Sequence, residues 1–221
     1  MTSGPMTQKP ISILFGSRSR EDLWAFKLGS RMTTLTDRFD MAMQFARQRH
    51  HGQSRKGTSI PYVSHLLATA ALVLEAGGDE DQAIAGLLHD TLEDGKATAL
   101  ELVERFGERV ARIVEDCSDT TENPKPPRRQ RKERYIATLA SHGRDSVLVS
   151  CADKLHNARA ILADYRDHGE ELWRRFNPEA DSLWYYRTLS NAYLELGTPW
   201  SEELDRTVTE LERLAGRVSP N

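Results

Sequence analysis

The sequence predicts an all-α protein, a bundle of about eight to ten helices, and three observations carry that expectation. Apolar residues recur three and four apart through most of the chain, as in Phe39, Ala42, Met43 and Ala46. No stretch alternates apolar and polar residues as a half-buried strand would. Helix-starting and helix-stopping residues punctuate the apolar runs at regular intervals.

Taken in order, residues 1 to about 35 have little periodicity and contain Gly4, Pro5, Pro10, Gly16 and Gly29. They read as a flexible extension, or as the product of an upstream start with Met32 as an alternative beginning. Residues 36–221 then form one domain. A first helix begins near Asp37 and ends at His50 and His51, whose imidazoles suit the carbonyl end of a helix. The second spans Tyr62 to Ala76 and is stopped by Gly77-Gly78. The third runs from Asp81 to about Glu93. Thr98-Ala99-Leu100-Glu101 has capping-box spacing and starts another, which Gly107 separates from a helix near Glu108 to Cys117. Asp119 to Pro127 reads as a loop. Helices resume at Arg128 to Ser141, Ser146 to Tyr165 and Glu179 to Leu196. Gly197-Thr198-Pro199 stops the last of these, and Ser201-Glu202-Glu203 opens a final helix.

Composition narrows the function. The 221 residues give room for one helical domain with a real core, and 38% apolar with 29% charged residues describes a soluble globular chain. A net charge of −3 argues against a dedicated nucleic-acid binder. The apolar stretch Leu66 to Leu74 is too short for a bilayer, so no membrane partner is expected. Two cysteines, Cys117 and Cys151, lack zinc or disulfide spacing and read as reduced cytoplasmic thiols.

The chemistry concentrates at His89-Asp90-Thr91-Leu92-Glu93-Asp94, directly after the apolar run Ala83 to Leu88. If the helix continues, residues four apart place His89 above Glu93 and Asp90 above Asp94. Three acids and an imidazole at the end of a buried segment repel without a cation, which points to a divalent metal. Alone, the pair also reads as a charged helix end. Two further segments change that balance. His65 lies in an apolar helix, and Asp153-Lys154-Leu155-His156-Asn157 follows the apolar Val147 to Val149. Three helices can therefore aim His65, His89, Asp90 and Asp153 at one point. Such a nitrogen and oxygen set suits Mn²⁺, Fe²⁺ or Zn²⁺ better than Mg²⁺. His156, three residues after Asp153, reads as a packing histidine rather than a ligand.

The order His65, His89-Asp90, Asp153 resembles the signature of HD-domain phosphohydrolases. Gln53-Ser54-Arg55-Lys56-Gly57, Pro61 to His65, Leu87 to Asp94, Phe106-Gly107 and Ala152 to Asn157 are similar to the hydrolase domain of RelA/SpoT-type enzymes, most of all to the stand-alone small alarmone hydrolases. The likeness runs from about Phe39 to about Leu196. It implies an HD-type hydrolase domain that removes pyrophosphate from the 3′ position of guanosine tetra- or pentaphosphate, or of adenosine analogues. It further implies His65, His89, Asp90 and Asp153 as ligands to Mn²⁺, Glu93 and Asp94 as the catalytic acids, and Arg55, Lys56 and Asn157 as substrate contacts. Two departures stand out. The loop from Arg55 to His65 is one residue longer than the common pattern, and Ser150-Cys151 replaces a sequence that in many relatives carries a lysine. Other expectations are a broader HD nucleotide phosphohydrolase acting on another 3′-phosphorylated nucleotide or a dinucleotide, and an antidote to a companion alarmone synthetase.

Two features outside the motifs have double readings. The basic run from Lys125 to Arg134 is a solvated helix start or a flap gripping a polyphosphate. Trp184-Tyr185-Tyr186 is core, or offers a ring to stack on a base.

Overall fold

The computed structural model describes residues 33–93, 96–120, 122, 124–175 and 182–216. The expected extension over residues 1–35 lies almost wholly outside them, as does Glu179, the expected start of a later helix. Nine α-helices are present among the described residues: α1 Asp37–Arg49, α2 Val63–Glu75, α3 Glu80–Leu88, α4 Ala99–Phe106, α5 Glu108–Cys117, α6 Arg128–Leu139, α7 Arg144–His168, α8 Ser182–Leu196 and α9 Ser201–Leu214. A 3₁₀ segment, Gly169–Arg175, follows α7. The all-α expectation holds; extended pairing among the described residues is an isolated bridge between Ser54 and Pro61.

Local chemistry explains most boundaries. Thr36 caps α1 by accepting from the Arg38 N–H. Helix α2 ends in a double hydrogen bond, Gly77 N–H to Leu74 O and Gly78 N–H to Val73 O. This closure needs the left-handed backbone that Gly77 adopts at φ +80°. Asp79, two residues before the expected start, caps α3 in a reciprocal box with Gln82. At α4 only half of the expected box forms. Thr98 accepts from the Glu101 N–H, but the Glu101 carboxylate pairs with Arg49 and Arg105. Ser201 does not cap α9; Trp200 holds that position, and the Ser201 hydroxyl donates to Thr198 O.

The largest correction concerns α3. It stops at Leu88 rather than near Glu93, and His89 to Glu93 form turns. Thr91 is the cause: its N–H and its hydroxyl both donate to Leu88 O, at 2.9 and 2.7 Å, tightening the chain out of the α-helical register. The expected stacking of His89 over Glu93 on a continuing helix is therefore not how these groups meet.

Helix α3 is the centre of the bundle. Every residue from Gln82 to Leu88 is buried, and α1, α2, α5 and α7 pack around it. The 25-residue α7 runs along the opposite wall and contacts α2, α3, α5, α8 and α9. Gly86 lets α2 and α3 approach closely: a β-carbon there would lie 3.1 Å from Ala70 Cα. Among the described residues, no helix is long and apolar enough to cross a membrane.

Candidate metal centre and its pocket

Four side chains from three elements converge. His65 stands in the first turn of α2, His89 caps the end of α3 with Asp90 following it, and Asp153 lies midway along α7. His65 Nε2 is 3.2 Å from His89 Nε2, 3.7 Å from Asp90 Oδ2 and 3.1 Å from Asp153 Oδ1. His89 Nε2 is 3.0 Å from Asp90 Oδ2 and 3.5 Å from Asp153 Oδ1. Ligands about 2.1 Å from one ion lie about 3.0 Å apart at right angles and about 3.4 Å apart at tetrahedral angles. Three of the five separations fall in that range and the other two, 3.5 and 3.7 Å, lie just above it. His65, His89 and Asp90 form a group that could hold a metal ion, with Asp153 Oδ1 beside both imidazoles.

Outer hydrogen bonds prepare the imidazoles for this role. His89 Nδ1 donates to Gly86 O at 2.9 Å, which leaves the Nε2 lone pair facing the cluster. His65 Nδ1 lies 2.8 Å from His156 Nδ1, and donation from His65 frees its Nε2 in the same way. His156 is thus a satisfied packing histidine, as expected, and the partner it satisfies is a candidate ligand. Burial, with His65 and Arg55 nearby, pushes it down to about 4, so it accepts this bond as a neutral ring.

The electrostatics show how much charge the cluster must compensate. Burial lowers His65 below the ordinary imidazole value despite its contact with Asp153. Burial opposes charge on His89 as well, but Asp90 and Asp153 outweigh it and hold His89 well above that value. Burial would raise both carboxylates. His89 reverses this for Asp90, and Lys154 with His89 reverses it for Asp153, leaving both well below the carboxylate range. Two anions thus persist in the interior only beside positive charge, here that of His89 and Lys154, to which a bound cation would add.

A cavity of about 160 Å³ opens beside the cluster, lined by Tyr62, Asp90, Glu93, Asp153, Asn157 and residues of α6 and α8. Tyr62 donates to Asp90 Oδ2 at 2.6 Å. Glu93 reaches the cavity from the turn after α3, and burial followed by the charge of Asp119 raises its pKa. Asp94, its expected partner, lies outside the described residues. Asn157 donates to Asp153 Oδ1 at 2.5 Å and accepts from Arg55 at 2.7 Å, so it links the loop before α2 to a candidate ligand. Neither Arg55 nor Lys56 lines the cavity, but Arg55 reaches Asn157, which does.

Residues outside the expected set also line the wall. Lys154 adjoins Asp153 at 2.5 Å, fully within the cavity wall, and was legible only as part of a motif. Arg128 and Lys132, one turn apart on α6, face the cavity. The remainder of the basic run behaves differently. Arg129 sits 3.2 Å over the Trp184 ring, and Arg131 is tied to Asp119 and to Pro126 O. The run is thus divided between residues that face the cavity and residues held by other side chains. Tyr185 and Tyr186 are buried, and both also line the cavity.

A helical bundle with two imidazoles and two carboxylates converging from separate helices defines a centre of the HD type. Residues 42–184 match the model of the HD domain, and the chain belongs to that family. It is 34% identical over 135 residues to guanosine-3′,5′-bis(diphosphate) 3′-pyrophosphohydrolase of Aquifex aeolicus, covering 61% of this chain and 19% of that protein. It is 36% identical over 123 residues to the Xenopus tropicalis protein of the same name, MESH1, covering 54% of this chain and 67% of that one. The chain thus spans about a fifth of the bacterial relative and two thirds of the animal one. A solved structure described as a metazoan ortholog of SpoT that hydrolyzes ppGpp superposes with a TM-score of 0.65 at 25% identity, over 85% of this chain and all of that one. The lmo0812 protein of Listeria monocytogenes superposes at 0.60 with 27% identity, over 67% of this chain and 99% of that one.

Proposed function

We propose that this chain is a metal-dependent hydrolase that removes pyrophosphate from the 3′ position of guanosine tetra- or pentaphosphate, or of the adenosine analogues. The single observation that carries the reading is the convergence of His65, His89, Asp90 and Asp153 on one point that opens into a cavity lined by cations. The named activities of the Aquifex and Xenopus relatives support the substrate class.

His65, His89, Asp90 and Asp153 would hold the ion, for which Mn²⁺ fits the mixed nitrogen and oxygen set. When bound, such an ion screens phosphate charge and acidifies a water. The chain's own residues do the remainder. Arg128, Lys132 and Lys154 offset the charge of the polyphosphate and orient it. Glu93, kept protonated longer than an ordinary glutamate by burial and by Asp119, is placed to give a proton to the leaving ribose oxygen. Asp94 is proposed as its companion from the sequence motif alone. Asn157, held by Arg55, would contact the substrate, and the Tyr185 and Tyr186 rings would give the nucleoside an aromatic wall. Lys56 remains proposed as a substrate contact at the mouth.

A companion alarmone synthetase is a natural counterpart to such an activity, and hydrolysis and neutralisation of that partner are compatible. The free, buried thiols of Cys117 and Cys151 support a cytoplasmic setting. The deciding experiment incubates the protein with Mn²⁺ and a panel of 3′-pyrophosphorylated guanosine and adenosine nucleotides. Release of pyrophosphate with the matching 5′-nucleotide is the expected result. Inactivity on the whole panel would transfer the site to a broader HD phosphohydrolase acting on another 3′-phosphorylated nucleotide or a dinucleotide.

A further inference from the structure

Asp119 lies two residues beyond α5, at the start of the loop that leads to α6, and none of the motif residues includes it. Its side chain is 2% exposed. A carboxylate so deeply buried is costly unless cations meet it, and two do. Arg131 pairs with Asp119 Oδ1, and Lys132 Nζ lies 2.7 Å from Oδ2. Each cation has a second anchor. Arg131 Nε donates to Pro126 O at 3.1 Å, and the same guanidinium lies 3.7 Å from Glu93 Oε1. The Lys132 ammonium rests 4.8 Å from the Tyr185 ring and lines the cavity beside Arg128 and Glu93.

The arrangement has a direction. Arg131 points back into the protein, closing the loop, whereas Lys132 touches Asp119 and the cavity at once. A lysine left to itself samples many rotamers and loses that freedom when it grips a ligand. Here the carboxylate on one side and the aromatic face on the other remove the freedom beforehand. Asp119 cancels one of the two charges and leaves the pair net positive, so the cavity keeps a cation while gaining a fixed one.

We propose that Asp119 is a positioning residue for the substrate pocket, holding Lys132 at the cavity wall while Arg131 closes the loop behind it, so that a polyphosphate meets a preformed cation. The inference rests on the phosphohydrolase reading above, and two separable measurements test it. Competitive acetylation followed by mass spectrometry needs no activity. In the wild-type protein, Lys132 labels more slowly than Lys125. In Asp119→Asn, Lys132 labels roughly tenfold faster while Lys154 keeps its rate. Equal labelling of Lys132 and Lys125 in the wild type overturns the contact, even if D119N does not fold.

The kinetic arm uses the nucleotide that the wild type hydrolyses. Removing a negative charge beside an anion site would by itself lower KM. Loss of positioning instead raises KM roughly tenfold, by more than kcat falls. In a Lys132→Met background, D119N produces no further rise. An unchanged or lowered KM in the single variant, or a full additional rise in the double variant, refutes the proposal. If the wild type releases no pyrophosphate from any nucleotide, the functional reading fails and the labelling result still decides the contact.

Discussion

Substituting alanine for Gly86 tests whether the spacing of α2 and α3 sets the ligand geometry. The new methyl carbon would sit 3.1 Å from Ala70 Cα and 3.3 Å from Ala70 N, both backbone atoms that cannot rotate away. Comfortable carbon contacts begin near 3.5 Å, so the helices must part by about 0.4 Å or more. His65 rides on α2 and His89 on the end of α3, with their Nε2 atoms 3.2 Å apart. Ligand positions tolerate only about 0.2 Å, so this displacement exceeds what one ion can accommodate without distortion. Gly86 O also accepts from His89 Nδ1, so the perturbation reaches the ring orientation too. Mn²⁺ affinity should fall by roughly tenfold to a hundredfold. Stability moves less. Alanine gains about 1 kcal/mol of helix propensity, against an overpacking cost of about 1–3 kcal/mol. The assays are Mn²⁺ titration against a competing chelating dye and urea unfolding of the metal-free protein. Wild-type Mn²⁺ affinity in a folded G86A variant would refute the claim that helix spacing governs the centre.

Other substitutions separate the roles of neighbouring groups. Glu93→Gln should lower kcat by at least about a hundredfold while metal content stays at the wild-type level. Because the folded carboxyl titrates above its unfolded value, its contribution to stability is present at acid pH and lost as pH rises through the folded pKa. Metal-free E93Q should therefore have the higher Tm at pH 8, with the difference vanishing below about pH 4, where glutamate is protonated in both states. His156→Ala removes the acceptor for His65 Nδ1 and should weaken Mn²⁺ binding roughly tenfold, seen in the same dye titration. Arg128→Ala should raise KM for the nucleotide with little change in Tm, whereas Arg131→Ala should lower Tm, because it leaves the buried Asp119 short of a partner.

The helices and the residues of the candidate metal cluster were largely legible because both depend on short-range patterns. Apolar spacing marked α1, α2 and α5 to within a residue or two, and the glycine pair after α2 acts through a backbone conformation that only glycine adopts easily. The order of His65, His89, Asp90 and Asp153 was likewise readable, since each lies in or directly after an apolar helical run. The turn at His89 was not. Propensity favours continuing α3, and only the double donation from Thr91 to Leu88 O ends it. His156 is a hydrogen-bonded packing histidine as expected, but its partner, His65, was not legible because the two are 91 residues apart in sequence. The division of labour within the basic run was hidden for the same reason. Whether Arg131 or Lys132 faces the cavity depends on Asp119 from another segment, and a run of like charges carries no mark of that.

The path from Arg55 through Asn157 to Asp153 has a thermodynamic consequence. Two hydrogen bonds join the entrance loop to an interior carboxylate, so the loop and the carboxylate share one conformational equilibrium. A nucleotide that draws Arg55 toward its own phosphates necessarily changes how firmly Asp153 is oriented. Linkage then requires the ion to alter nucleotide affinity by the same factor with which the nucleotide alters affinity for the ion. Under the proposed function, saturation curves for either species would therefore shift with the concentration of the other, and a dissociation constant for one would have meaning only at a stated concentration of its companion.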